Sequence, residues 1–252
     1  VLADLGESLR KPYLWRGPAW FDIKQRFRRS VLGPLWITLT MAALIAGMGP
    51  LYAAIFDLEL KTYLPYLALG VIVWGYISTT TIEACNAFIA GAGVIRQTRI
   101  PLSSFVLRTV WRNVLVLAFN GVLAVAVVIY AGVPTLAYWL EALLGLLLLM
   151  LASVGAGFLI GVFCTRYRDM QQLIGSLLQM LMFLTPVFWR ADQLKQRSLV
   201  VDWNPAYYFL EAVRGPLLGG DVPARIYWTA AAIALALLVA GVCFAGLVQW
   251  RQ

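Results

Sequence analysis

The sequence predicts an all-α, polytopic membrane protein with six transmembrane helices. Of its 252 residues, 62% are hydrophobic and only 13% are charged, about half the charged share of a soluble domain. The charged residues leave six uninterrupted gaps of twenty residues or more, and a helix of about 20 residues crosses the ~30 Å hydrocarbon layer. This composition excludes a disordered chain, a disulfide scaffold and an ordinary soluble enzyme.

Six predicted spans follow from these gaps, because a charge at the bilayer centre costs about 2.5–3.5 kcal/mol on insertion scales. Gly155, Gly157 and Gly161 give the fourth span a small-residue face, which is typical of close helix packing or of a subunit contact. We find no internal repeat, so one membrane domain accounts for residues 1–252. The predicted spans are 34–56, 63–83, 113–132, 139–163, 171–188 and 228–249.

The distribution of lysine and arginine predicts the orientation. An even number of spans puts both termini on one side, and the side richer in Lys and Arg is cytoplasmic. One side carries Arg10, Lys11, Arg16, Lys24, Arg26, Arg28, Arg29, Arg96, Arg99, Arg108, Arg112, Arg166, Arg168 and Arg251. The other side carries Lys61, Arg190, Lys195, Arg197, Arg214 and Arg225. Both termini are therefore expected in the cytoplasm. The net charge of +8 indicates contact with anionic lipid rather than with nucleic acid.

Residues 18–32 predict an amphipathic helix before the first span. Trp20, Ile23, Phe27 and Val31 fall on one helical face, while Asp22, Gln25, Arg26 and Arg29 face away. Such a segment is typical of an interfacial helix in the cytoplasmic headgroup layer. An anchor with no further role is the equally weighted alternative.

The loop after the second predicted span contains a short basic element at 94–100, between Gly93 and Pro101. Two interpretations stay open. The element is either an ordinary cytoplasmic loop, or a docking element for a cytosolic partner, which the unusual loop length favours.

Residues 190–225 predict a re-entrant or interfacial helical segment outside the membrane, because 203–218 is too short and interrupted to span. Asn204-Pro205 is a helix start, Gly215-Pro216 is a helix stop, and Glu211 and Arg214 have the i,i+3 spacing of an ion pair. Tyr207 and Tyr208 are expected to present aromatic faces at the outer mouth. An aromatic interface belt is the alternative reading of these tyrosines.

Several kinds of chemistry are absent from the sequence. It has no histidine, which removes His-based acid–base catalysis and His metal sites. None of the four lysines follows a glycine, so there is no phosphate-binding loop of the type GxxxxGK[ST]. The three cysteines are far apart and predict neither a disulfide framework nor a metal site. We therefore expect no catalytic residue, cofactor or metal in this chain.

Three motifs, in the same order, resemble one family. Residues 22–36 (DIKQRFRRSVLGPLW) resemble the start of span one in ABC-2-type polysaccharide exporter permeases, the membrane subunits for O-antigen, capsule and teichoic acid export. Residues 166–169 (RYRD) and 185–189 (TPVFW) resemble the signature of that family at spans four and five. Residues 204–219, which begin with Asn-Pro and end with Pro-Leu-Leu-Gly, resemble its extracytoplasmic re-entrant segment. The likeness covers about 22–220.

The resemblance implies a homodimeric channel in the bacterial inner membrane. Two cytosolic ATPase subunits would bind ATP and Mg and push a lipid-linked polysaccharide outward. The implied ATPase-coupling residues are Arg96, Arg99 and Pro101. The implied interface helix contributes Trp20, Lys24, Arg26, Phe27, Arg28 and Arg29. The implied outer gate contains Pro205, Tyr207, Tyr208, Glu211 and Arg214. Channel-lining candidates are Trp74, Tyr76, Phe188 and Trp189.

Two other functions stay open at this point. One is an ABC-2 permease for a small amphiphile or drug. The other is a membrane anchor or intramembrane enzyme without transport. A basic cytoplasmic side that can receive a pyrophosphate headgroup favours polysaccharide export over the drug permease. Turnover of a substrate by the purified chain without any ATPase would support the anchor or enzyme.

Overall fold

The structure is a computed structural model that describes residues 2–97, 100–132, 134–191 and 199–249. Helices dominate these ranges, as the sequence predicts. In chain order they are α1 (Leu2–Arg10), α2 (Tyr13–Arg26), α3 (Leu35–Ile55), α4 (Leu60–Cys85), α5 (Ala87–Gln97), α6 (Ser103–Ala131), α7 (Leu136–Arg166), α8 (Met170–Leu184), α9 (Leu199–Asp202), α10 (Pro205–Leu217) and α11 (Ala224–Gln249).

Five helices of the described chain, α3, α4, α6, α7 and α11, are long and apolar enough to cross a membrane. They correspond to five of the six predicted spans. α6 starts at Ser103, ten residues before the predicted 113. Arg108 and Arg112 had excluded these ten residues from the predicted span. Both arginines pair with acids of α2 and α4, and the helix extends through them.

The remaining predicted span, 171–188, is only partly helical. α8 has 15 residues, which corresponds to about 22 Å and falls short of the ~30 Å hydrocarbon layer. Thr185, which precedes Pro186, is extended at φ −85° and ψ 137°. A residue before proline is pushed out of the helical region by a steric clash with the proline ring, so α8 ends one residue earlier. Helix length alone therefore leaves the six-span count open.

The small-residue face of α7 is used for packing inside the chain. A side chain at Gly155 would collide with the backbone of Leu237 and Leu238 in α11, and Gly241 of α11 lies against the Gly155 carbonyl. Close backbone approach of this kind requires small residues. Gly157 and Gly161 likewise face Val106 and Phe88 of the same chain. We therefore assign this face to internal packing rather than to a subunit contact.

The bundle has two chemically different ends. We call one the α2 end. It contains α1, α2, α5, the start of α6 and the final turns of α4, α7 and α11. Ala245 of α11 packs there with Val106 and Phe158. We call the other the α10 end. It contains α10 and the first turns of α4, α7 and α11, and Tyr138 donates there to Asp221 at 2.9 Å. α8 leaves the α2 end, and Pro186, just beyond it, accepts from Tyr66 near the α10 end at 3.1 Å.

α2 differs from the predicted interface helix at 18–32. It begins five residues earlier and ends at Arg26, so Phe27, Arg28 and Arg29 lie in turns beyond it. Continuation past Arg26 would place Arg26 and Arg29 one turn apart, which destabilises a helix.

The face of α2 that packs inside the chain consists of Trp15, Ala19 and Ile23. Trp20, on the predicted membrane-facing side, is 41% exposed, and Val31, beyond the helix, is fully exposed. The predicted contact of that side with the headgroup layer stays a prediction. α2 packs against α6 of the same chain, and this contact selects its buried side.

α10 begins as predicted and ends later. The Asn204 side chain accepts from the Ala206 N–H at 3.0 Å, with proline at the first helical position, which is a favoured helix start. The predicted stop at Gly215-Pro216 is wrong, since the helix runs to Leu217. Pro216 has no N–H for the carbonyl four residues earlier, and that carbonyl, on Ala212, accepts from Tyr227 at 3.4 Å instead.

Candidate functional site at the two ends of the bundle

A charged cluster at the α2 end fastens α2 to α6 and α4. Arg108 donates to both carboxylate oxygens of Asp22, at 2.5 and 2.9 Å. Arg112 donates to Asp22 at 2.8 Å and to Glu83 at 2.8 and 3.1 Å. Asn113 donates to the same Glu83 oxygen at 2.6 Å. The cluster joins three helices, and its two acids balance its two arginines.

The Asp22 carboxylate is stabilised by these partners. Burial raises its pKa, but the hydrogen bonds and charges of Arg108 and Arg112 outweigh that effect and hold the pKa below its ordinary value of 3.8. Asp22 was predicted to face away from the apolar side of the helix. The available signal was the i,i+4 spacing of Arg108 and Arg112, which puts two cations on one face of α6.

Two of the three predicted ATPase-coupling residues, Arg96 through its backbone and Pro101, belong to the same end. α5 holds the backbone of Arg96, while the Arg96 side chain and all of Arg99 lie outside the described residues. Pro101 is buried two residues before α6. α5 is held close to α6, because a side chain at Gly91 would collide with the Phe105 ring. The predicted coupling segment therefore leads directly into α6, the helix that is ion-paired with Asp22 of α2.

The predicted turn at 166–169 belongs to this end too. Arg166 is the last residue of α7, and Tyr167, Arg168 and Asp169 are exposed in the connection to α8. These residues are accessible at the surface of the described chain. The contacts shown for their side chains are local: Arg166 lies over the Tyr167 ring, 5.8 Å from its centroid, and the Tyr167 and Phe163 rings are 5.3 Å apart.

At the α10 end, Arg214 is a buried cation. It is 1% exposed. It donates to the Pro186 carbonyl at 2.7 Å and to Glu211 at 2.8 Å, and its guanidinium lies 3.8 Å from the centre of the Tyr66 ring. The predicted i,i+3 ion pair of Glu211 and Arg214 is present. The other partners of Arg214, Tyr66 of α4 and Pro186 after α8, were not predicted.

Arg214 lies deep in the bundle. A side chain at Gly70 would stand 3.3 Å from an Arg214 nitrogen and 3.0 Å from the Val187 carbonyl. Gly70 is ten residues into α4, which corresponds to about 15 Å along the helix axis. On the opposite side, Gly145 of α7 is in contact with the Ala212 carbonyl. α10 is thus enclosed by other helices rather than lying on the surface.

The other predicted gate residues divide by exposure. Pro205 is exposed, and Glu211 is half-buried. Tyr207 and Tyr208 are 9% and 6% exposed and meet edge to face, with ring centroids 5.5 Å apart. Both tyrosines are largely covered by protein, although Tyr207 also lines a cavity beside α10. Their predicted place at an outer mouth stays a prediction.

The four channel-lining candidates also pack inward. Trp74, Tyr76 and Phe188 are 3 to 5% exposed in the main hydrophobic core. Trp189 is half-buried, and its indole N–H donates to the Phe183 carbonyl at 2.9 Å. Lining of a passage by these residues stays a prediction, and a passage along the surface of this chain would not reach the first three.

A cavity of about 740 Å³ opens beside α10. Residues of both charge signs line it, among them Lys61, Arg190, Asp202, Glu211 and Arg225. Arg225 pairs with Asp202 at 3.0 Å. The α10 end thus has a polar surface pocket next to the buried Arg214.

Asp22→Asn tests the charged cluster. We expect the free energy that holds α2 against α6 to fall by about 1 kcal/mol. The loss is small because solvent screens a partly exposed cluster. A carboxyl with a lowered pKa stabilises the fold above its unfolded pKa, and this contribution is lost as the pH falls through the folded value. Docking in the unchanged protein should therefore stay constant from about pH 8 to pH 5 and weaken only below the ordinary Asp value of ~3.9.

The measurement is the mobility of a spin label at Gln25→Cys, an exposed position on α2, in a Cys243→Ala background. Asp169→Asn, at an exposed carboxylate in the α7–α8 turn, is the control. Two results would contradict the assignment. One is a label mobility in the otherwise unchanged protein that already changes between about pH 8 and pH 5. The other is equal label mobility with and without Asp22→Asn.

Arg214→Ala tests the buried cation. We expect it to lower the free energy of unfolding by about 3 kcal/mol or more, because Glu211 and the Pro186 carbonyl lose a buried charged partner. Arg225→Ala removes an exposed ion pair with Asp202 and should change stability little. Thermal unfolding in detergent compares the two variants. Equal melting temperatures would show that Arg214 is not a structural centre of the α10 end.

Comparison with known proteins identifies the family. The family model described as ABC-2 type transporter matches residues 16–218. Two proteins from Klebsiella pneumoniae, each named O-antigen export system permease protein RfbA, are 24% identical to this chain over 212 and 194 residues. These alignments cover 80% and 73% of this chain and 78% and 72% of those proteins.

A protein of the same name from Myxococcus xanthus is 25% identical over 199 residues, which cover 73% of this chain and 72% of that protein. The family match includes α3, α4, α6 and α7, four of the long apolar helices, together with α10. The chain therefore belongs to the ABC-2 type transporter family, as a multi-pass membrane permease subunit.

Proposed function

We propose that this chain is the channel-forming subunit of an ATP-driven exporter that moves a lipid-linked, O-antigen-like polysaccharide across the bacterial inner membrane. The observation that carries the proposal is the similarity, over most of the chain, to three permeases named for O-antigen export. The chemistry of the sequence agrees, since a chain without a phosphate-binding loop needs another subunit to use ATP.

Six spans with both termini in the cytoplasm form the first part of the proposal. The connection before α8 lies at the α2 end, and Pro186 beyond α8 lies near the α10 end. α8 together with the residues that follow it therefore supplies the fifth crossing, completed by a turn at 185–189 that accepts hydrogen bonds from Tyr63 and Tyr66 of α4. The α2 end holds most of the cations of the described chain, which supports a cytoplasmic location for it.

The second part is a homodimer with two cytosolic ATPase subunits that bind ATP and Mg. α3 and α8 have few buried residues, only Ile45, Gly49 and Ala53 in α3 and Leu178 in α8. A second copy packed on these helices would cover their apolar faces. The segment at 94–102, with Arg96, Arg99 and Pro101, is the proposed contact for each ATPase subunit.

The third part concerns α10, which we propose is a re-entrant outer gate. The Arg214 side chain reaches Gly70, about 15 Å along α4 from its first residue, and a short helix survives at membrane depth only when protein or water surrounds it. If α10 moves to open a passage, the contacts of Arg214 with Tyr66 and Pro186 either break or move with it. These contacts favour a gate that moves as a unit with the start of α4.

Cysteine labelling tests the topology. In a Cys243→Ala background, we expect Gly220→Cys at the α10 end to react with a membrane-impermeant maleimide applied to the outside of the inner membrane. Asp169→Cys in the α7–α8 turn should react only after the membrane is opened. Both positions are exposed in the described chain. Labelling of both from the same side would contradict six spans.

Transport in vesicles tests the function. The chain reconstituted with its ATPase subunit should move a lipid-linked polysaccharide across the membrane only with Mg-ATP, and the chain alone should concentrate nothing. The measurement is the fraction of polysaccharide protected from an added glycosidase. Uphill movement without nucleotide would contradict the proposal. Movement of a small amphiphile, with no movement of polysaccharide, would contradict the proposed substrate.

A further inference from the structure

The first turn of α6 has no cap of its own. Leu102 occupies the N-cap position, and no side-chain hydrogen bond from that residue caps the helix. The first N–H groups of a helix have no partner within the helix, so an acceptor from elsewhere is needed when they are buried. This matters here because α6 begins where the proposed ATPase-coupling segment, 94–102, ends.

Asp4 of α1 supplies that cap from a distant part of the chain. One of its carboxylate oxygens accepts from the Leu102 N–H and the other from the Ser103 N–H, both at 2.9 Å. The Ser103 hydroxyl donates back to the Asp4 carbonyl at 3.0 Å. A carboxylate at a helix N-terminus also interacts favourably with the helix dipole. Asp4 therefore holds the junction between the coupling segment and α6 at three points.

Ser8, one turn further along α1, strengthens the attachment. It is fully buried. Its hydroxyl lies 2.7 Å from the hydroxyl of Ser103 and 2.9 Å from that of Ser104. The Ser8 carbonyl accepts from the Trp15 indole at 3.0 Å, and this connects α1 to α2. α1 is thus fixed to α6 on one side and to α2 on the other.

Glu7, one turn along α1 from Asp4, shows what an acid without a contact to α6 looks like. Among the described residues its ion pair is with Lys11 of the same local segment, at 2.7 Å, and both side chains are about half exposed. Glu7 and Asp4 are acids on the same nine-residue helix. Only Asp4 reaches α6, so the contact is directed rather than a general attraction between an acidic helix and a basic surface.

We propose that α1 is a latch that keeps the end of the coupling segment rigidly attached to α6, with Asp4 as its positioning residue. The inference rests on the proposed function. A displacement of 94–102 by an ATPase subunit reaches α6 only if the junction at Leu102 and Ser103 does not hinge. The two hydrogen bonds of Asp4 close that hinge, and α1 thereby couples nucleotide-driven movement to the membrane helices.

Asp4→Ala tests the latch in the complex of this chain with its ATPase subunit. Hydrogen exchange of the Leu102 and Ser103 amides should become faster by about fivefold, the effect of losing an average helix cap. Polysaccharide exported per ATP hydrolysed should fall by a similar factor, while ATPase binding stays unchanged. Asp4→Asn keeps one acceptor oxygen and should give an intermediate loss. Glu7→Ala, on the exposed side of α1, is the matched control.

A disulfide tests whether attachment of α1 to α6, rather than another effect of the Asp4 substitution, restores coupling. Ser8→Cys and Ser104→Cys, added to Asp4→Ala in a Cys243→Ala background, place two thiols where the hydroxyls now touch. Oxidation should attach α1 to α6 again and restore export per ATP, and reduction should remove the gain. Cys85 and Cys164 are buried and are not expected to interfere.

The outcomes separate this inference from the proposed function. Normal export per ATP in Asp4→Ala, or no recovery with the disulfide formed, would overturn the latch. Unchanged exchange at Leu102 and Ser103 would also overturn it. If the unmodified complex exports no polysaccharide, the proposed function is wrong. The exchange rates and the ATPase stimulation of the same variants then still decide whether α1 controls the junction.

Discussion

The structure depends on the cost of leaving backbone amides unbonded in hydrocarbon. Water is absent from that layer, so each N–H and C=O needs a partner from protein, and an α-helix provides it within one segment. α3, α4, α6, α7 and α11 meet this requirement through their length. α10 is too short to span, and α4, α7 and α11 surround it. Even the Ala212 carbonyl, which loses its helical partner at Pro216, accepts from Tyr227.

Moving a charge out of water is also costly, and this governs where the charges lie. At the α2 end, Asp22 and Glu83 bridge to Arg108 and Arg112 at the edge of the bundle, where the side chains are partly exposed. Contacts of this kind hold helices together and still exchange with solvent. Arg214 is instead enclosed by Tyr66, Pro186 and Glu211. The proposed motor side is therefore fastened by partly solvated ion pairs, whereas the proposed outer gate is built around one buried cation.

Particular residues show how far the sequence could go. Asn204-Pro205 as a helix start and Glu211 with Arg214 as an ion pair were predictable, because both depend on residues at most four positions apart. The packing of α2 on α6 through Trp15 and Ala19 was not predictable, since periodicity identified an apolar side with Trp20 but no partner within the chain. Asp4 gave no sequence signal at all, because its partners are 98 and 99 residues away.

The sequence by itself determined the class of protein, the positions of five long apolar helices and the absence of a nucleotide-binding loop, since composition, charge spacing and short motifs act locally. Tertiary structure decided the rest. It set which faces of α2 and α7 are buried, how deep Arg214 lies, and which acid caps α6. These features depend on the approach of helices that are distant in the chain, and the periodicity of one helix carries no information about the partner that will cover it.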